Sequence, residues 1–131
     1  MTNEEYGRYV DALAPRSKTG KNLLNAFWVG GLICAIGQAL LNGYQALGLD
    51  ETTAGAAVSI SLVLLSAILT GFAVYDDIAK FAGAGTLVPI TGFANAVVAP
   101  AIEFQTEGFV LGTAAKMFTI AGPVIVYGLS A

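Results

Sequence analysis

"FAGAGTLVPITGFANAVVAP", residues 81–100, is uncharged and long enough to cross a bilayer, yet it is a poor helix. It carries Gly83, Gly85 and Gly92 together with Pro89 and Pro100. Glycine is costly inside a helix, and Pro89 disfavours a helical Val88. The spacing predicts a half-helix from Asp77 to Ala82, extended chain through Gly85, Thr86, Leu87 and Val88, and a second helix starting near Pro89, where proline fits a first turn. A break at membrane depth leaves backbone amides and carbonyls that must be buried in protein or line a wet cavity. The alternative is a proline-kinked helix whose glycines only permit close packing.

The rest of the chain explains why that segment is read in lipid. Of 131 residues, 56% are hydrophobic and 11% charged, and the mean hydropathy is +0.72. Soluble domains carry roughly 25% charged residues, so there is too little polar surface here to coat a globule in water. A net charge of -3 leaves no basic footprint for nucleic acid. Without histidine, and with Cys34 as the single cysteine, neither a zinc site of the usual kind nor an internal disulfide is expected. No cofactor motif, nucleotide-binding motif or catalytic set is recognisable, so an enzyme is not expected. The first 22 residues are polar and mixed in charge, unlike a cleavable signal peptide.

Charge positions divide the chain into a tail, 1–21, and one transmembrane domain, 22–131, with spans near 23–47, 53–75, 78–102 and 108–131. Phe27 to Leu47 alone would extend about 31 Å as a helix, matching a hydrocarbon core. The expected fold is therefore all-α and integral to the membrane, with about four segments and the third, residues 81–102, broken or re-entrant. Arg8, Arg16, Lys18 and Lys21 precede the first span, and the next loop carries only Asp50 and Glu51. The positive-inside rule puts the N-terminus in the cytoplasm. In the tail, Tyr6, Tyr9, Val10 and Leu13 recur at helical spacing before Pro15 stops any helix, which fits a short interfacial amphipathic helix, the alternative being a frayed polar tail.

Several side chains invite functional readings. A half-helix N-terminus near Pro89 would offer free N–H groups to an anion, with Thr86, Thr91 and Asn95 adding neutral hydrogen bonds. Gly83, Gly85, Thr86, Pro89, Thr91, Asn95 and Lys116 form the candidate substrate or pore lining. Lys116 is read either as a cation facing the pore or as a snorkelling side chain. Gly31, Ala35, Gln38 and Asn42 are the candidate helix-packing set, with the two amides as interhelical hydrogen bonds and some small faces meeting other subunits. Asp76 and Lys80 are read as an i,i+4 pair, and Glu103 and Glu107 as sharing a helix face at the opposite mouth.

Three stretches carry a resemblance: "WVGGLICAIGQAL" (28–40), "LTGFAVYDDIAKFAGAGTLVPITGFANAVV" (69–98) and "EGFVLGTAAKMFTIAGPVIVYG" (107–128). They resemble the stage V sporulation protein A membrane proteins, a family with AC and AE types. The N-terminal extension, "TGFAN" and "MFTIAGPVIVYG" favour the AC type. The resemblance implies residence in the inner membrane of the bacterial spore and a part in moving dipicolinic acid, with calcium, during sporulation and germination. It also implies work beside an AD-type soluble protein and an AE-type membrane protein, in a homo- or hetero-oligomer. A tension-gated osmolyte channel and a structural membrane subunit docking a soluble partner are the competing readings.

Overall fold

A computed structural model describes residues 2–13 and 18–131, apart from the side chain of Asp11. Pro15 and Arg16, which figured in the reading of the tail, lie outside the described residues. The elements of the described chain are all helical: α1 (Asn3–Leu13), α2 (Thr19–Ala46), α3 (Glu51–Gly71), α4 (Val74–Ala82), α5 (Ala84–Leu87), α6 (Ile90–Glu103) and α7 (Ala115–Ser130). A 3-10 turn at Gln105–Glu107 and a widened π-type segment at Phe109–Ala114 lead from α6 into α7. Three continuous helical stretches are long and apolar enough to cross a membrane: Thr19–Ala46, Glu51–Gly71 and Phe109–Ser130.

α6 is the shorter apolar helix. Its 14 residues rise only about 21 Å, so α4 and α5 must supply the rest of the third segment. The observed pieces correct the expected course of this segment in two places. The second span ends at Gly71, and Tyr75 belongs to α4, which begins at Val74 rather than Asp77. Residues 84–87 form a helical turn instead of extended chain, and Val88 is itself helical (φ -73°, ψ -41°). As expected, the second helix starts beside Pro89, which is extended (φ -66°, ψ 163°) and caps α6, whose first residue is Ile90.

Side-chain sizes are distributed as lipid demands. The interior is built mainly from small residues, with Ala54, Ala82, Ala94, Ala101, Ser66, Thr86 and Thr91 buried beside the larger Leu62 and Tyr75, while Phe27, Trp28, Leu87 and Phe109 point outward. Hydrocarbon solvates large apolar side chains as well as a protein core does, so helices gain by bringing small faces together. The most extensive packing is α3 against α6, and α2 then lies across α3, α4 and α5. α7 reaches the bundle through α6.

The ends of the helices are held locally. Asp50 caps α3: its carboxylate accepts from the Thr53 amide at 3.1 Å and from the Thr53 hydroxyl at 2.6 Å. The hydroxyl bond, then the amide bond, holds the Asp50 carboxyl below its ordinary pKa. α1 shows Tyr6, Tyr9, Val10 and Leu13 exposed along one face, an amphipathic helix ahead of the first span. Two pairings differ from the sequence reading. Lys80 bonds Asp77 at 3.1 Å, one turn position nearer than Asp76. Glu103 ends α6 while Glu107 lies in the following 3-10 turn, so they share no helix face.

Candidate functional site

The broken segment is where α2, α3, α4, α5 and α6 meet. Gly83 turns the chain out of α4 at φ 53°, a left-handed value that glycine adopts without steric cost. Asn25 of α2 donates from Nδ2 to the Phe81 carbonyl at 3.2 Å, which satisfies an acceptor in the last turn of α4. One turn later, Gly85 lies directly on the α2 backbone. A methyl group there would strike the Ala26 carbonyl and Cα, and Gly30 faces the same crossing.

Hydroxyl groups close the break from inside. The Tyr75 phenol lies 3.0 Å from the Thr86 carbonyl and 3.1 Å from Thr91 Oγ1. A phenol has one proton, so it serves the carbonyl and can accept from Thr91 in return. The Thr86 hydroxyl donates to the Gly83 carbonyl at 3.0 Å. From α3, Ser66 donates to the Thr91 carbonyl at 2.6 Å. Thr70 Oγ1 lies 2.7 Å from the Ser66 carbonyl and 2.8 Å from the Asn95 side-chain amide. Among the described residues, no buried side-chain nitrogen or oxygen lacks a partner. The break thus carries no unpaired buried side chain, as lipid requires.

This arrangement places the candidate residues as follows. Thr86 and Thr91 are 2% and 4% exposed, with their hydroxyls engaged inside the bundle. Asn95 is half-buried on α3 through Thr70, and Pro89 is half-buried at the α6 cap. The start of α6 faces the Thr86 and Leu87 carbonyls, which crowd Gly92. Its partial positive end therefore meets the carbonyl end of α5. Gly83 borders a cavity of about 380 Å³ between the start of α2 and the end of α4, where Lys80, Asn22 and Thr19 also stand.

Lys116 lies away from this cluster. Its ammonium sits 4.0 Å from the centre of the Phe104 ring, just past the end of α6. The aromatic face supplies a partner for a cation that hydrocarbon would penalise. On α2, Ala26, Gly30 and Gly37 are among the residues that pack inside the chain, with Asn25, Ile33 and Tyr44, whereas Gly31, Ala35, Gln38 and Asn42 are exposed away from them. Gln38 Nε2 donates to Asn42 Oδ1 at 2.9 Å, so these amides bond each other along one helix.

Three residues of the cluster escaped the sequence reading: Ser66, Thr70 and Tyr75. Ser66 and Thr70 stand at i,i+4 in a mostly apolar span that also carries Ser59 and Ser61, and the pair is a detectable polar stripe. Tyr75 had no comparable signal, because its role depends on α4 folding back under α5. Beside the cluster lies a cavity of about 170 Å³, walled by Ile33, Leu62, Leu65 and Leu69 and floored by Tyr75 and Thr86.

Comparison with known proteins fits a membrane protein of this composition. Residues 22–131 match the SpoVAC/SpoVAEB sporulation membrane protein family. Stage V sporulation protein AC of Bacillus subtilis (strain 168) is 50% identical over 134 aligned residues, covering 100% of this chain and 89% of that protein. No solved structure matches the chain. The match runs through all the apolar helices and the broken segment between them, so the chain belongs to the SpoVAC/SpoVAEB family of sporulation membrane proteins.

Proposed function

We propose that the chain is a subunit of a channel that moves dipicolinic acid, with calcium, across the inner membrane of the spore. An AD-type soluble protein and an AE-type membrane protein are its working partners in this reading, and its N-terminus is cytoplasmic. The observation that carries the proposal is the break at residues 83–89, closed by hydroxyls from α3 and α4. Such a junction can exchange internal partners for water or an anion at modest cost, because each hydrogen bond is worth only about 0.5–1.5 kcal/mol net. The described conformation is then the closed one. Opening swings Tyr75 away from the Thr86 carbonyl and frees the hydroxyls of Thr86 and Thr91. It also separates the start of α6 from the carbonyls of α5, leaving amides that suit a small dianion.

Flux measurements on the purified protein in liposomes test this reading. Dipicolinate should cross without osmotic shock, and Asn95→Leu should reduce that flux while leaving insertion intact. A second reading, a tension-gated osmolyte channel, is favoured by the cavity of about 170 Å³ beside the hydroxyl cluster. An underpacked junction of this kind can change area more easily than a close-packed one. Flux only under hypo-osmotic shock would select that reading. No flux under any condition, in the presence of the AD-type and AE-type proteins, would leave a structural docking subunit.

A further inference from the structure

We infer that the cavity of about 170 Å³ beside the break is a binding site for the end of a membrane lipid's acyl chain. It lies between three helices. Ile33 and Ile36 of α2 wall it on one side, Leu62 and Leu69 of α3 on another, and Tyr75 of α4 closes its floor.

The lining decides what chemistry the site accepts. Ser66, Thr86 and Thr91 also border the space, yet their hydroxyls are already engaged. Ser66 donates to the Thr91 carbonyl, Thr86 donates to the Gly83 carbonyl, and Thr91 shares a hydrogen bond with the Tyr75 phenol. A buried water needs about 2–4 polar partners, which this wall does not offer. Dry cavities of about 150 Å³ lined by aliphatic and aromatic side chains take up benzene, so a space of this size suits on the order of six carbons. The occupant is hydrocarbon.

The rim decides which hydrocarbon. Leu32 is 60% exposed, and Ile36 and Leu65 are exposed as well, although all three line the cavity. The space therefore opens sideways between α2 and α3, and for a chain of this membrane family the surroundings are the bilayer. Leu62 stands about 16 Å along α3 from Glu51, near the middle of a hydrocarbon core about 30 Å thick. Lipid chains end at that depth. A neighbouring helix is held off by the large rim residues, because helices approach closely over small ones. An acyl chain is thin enough to pass between them. Inside, it packs against the ring of Tyr75, which is 4% exposed and whose phenol closes the break. The inference rests on membrane residence and not on the cargo, so a failed flux assay leaves it standing, and its own failure leaves the channel reading standing.

Photolabelling of the full chain tests it. The protein is reconstituted in phosphatidylethanolamine and phosphatidylglycerol vesicles containing a phospholipid with a diazirine at the end of one acyl chain. After irradiation, mass spectrometry should find adducts on Tyr75 or Leu62 as well as on Leu64, which faces lipid on α3. Ile33→Phe places a ring in the cavity and should lower labelling of Tyr75 and Leu62, relative to Leu64, at least about fivefold, because close-packed space excludes a second occupant. Val29→Phe fills the same space from one turn earlier on α2 and serves where Ile33→Phe fails to fold, as judged by helical circular dichroism. Adducts confined to Leu64 and other outward positions in the unsubstituted chain would overturn the inference. Equal labelling of Tyr75 and Leu62 in a folded, filled variant would overturn it too.

Discussion

Two groups of uncharged polar side chains lie at membrane depth, and they are handled in opposite ways. In the broken segment, Ser66, Thr70, Tyr75, Thr86, Thr91 and Asn95 face inward and bond one another or nearby carbonyls. On α2, Gln38 and Asn42 face outward and satisfy each other only in part. Hydrocarbon imposes the same cost on both groups. The difference lies in what surrounds them: α2 to α6 close over the first, and among the described residues no element covers the second. A polar set closed within one chain can act as a lock, whereas one left open on a single helix keeps unused hydrogen-bonding capacity.

The largest effect should come from wedging the inward group apart. Gly85→Leu drives a side chain into the Ala26 backbone, so α5 must leave α2 or the whole junction must shift. Loss of dipicolinate flux and a marked fall in thermal stability in detergent are expected. A stable variant with normal flux would mean that the α2–α5 crossing is dispensable, and the contrast between the two faces of α2 would collapse.

Removing one hydroxyl should act less violently. Tyr75→Phe keeps the ring and deletes both phenol contacts, leaving the buried Thr86 carbonyl without its side-chain donor. A cost of about 1–3 kcal/mol is expected, with a raised basal leak of dipicolinate. In the Cys34→Ala background, Ala94→Cys should be silent to a water-soluble thiol reagent and become reactive when Tyr75→Phe is added. Ala94 is 4% exposed, so reactivity without the second change would show that the junction is already open.

Two smaller effects sharpen the comparison by lying outside both groups. Lys116→Met deletes the contact with Phe104 and should cost about 0.5–1 kcal/mol, read as a small drop in melting temperature. A large loss of anion flux would instead give Lys116 a place in the permeation path. Ala73 joins α3 to α4 at φ 58°, a left-handed value that penalises a Cβ. Ala73→Gly should stabilise by about 1 kcal/mol at most, with flux unchanged. A gain of function there would make the α3–α4 hinge part of the opening motion.

What could be read from residues alone followed from properties local to each stretch. The charge gaps from Asn22 to Gly48 and from Thr52 to Tyr75 announced membrane helices, because a charge inside hydrocarbon is expensive at any position. Gly83 and Pro89 announced the break, because their backbone preferences need no neighbour. The same local rules erred over residues 84–87, where a helical turn packs on α2 and overrides the weak preference for extended chain before proline. They also chose Gly31 and Ala35 as packing residues without being able to tell the inward side of α2 from the outward one. Small residues occur on both sides, and only the positions of α3 and α5 decide that Ala26, Gly30 and Gly37 face in. Tyr75 shows the same limit at the candidate site. Its hydroxyl matters because α4 folds back beneath α5 and α6, bringing together residues 11 and 16 positions apart. Helices and their breaks were therefore written in the sequence by local energetics, while the closing of the break and the side of α2 left bare were decided by tertiary packing.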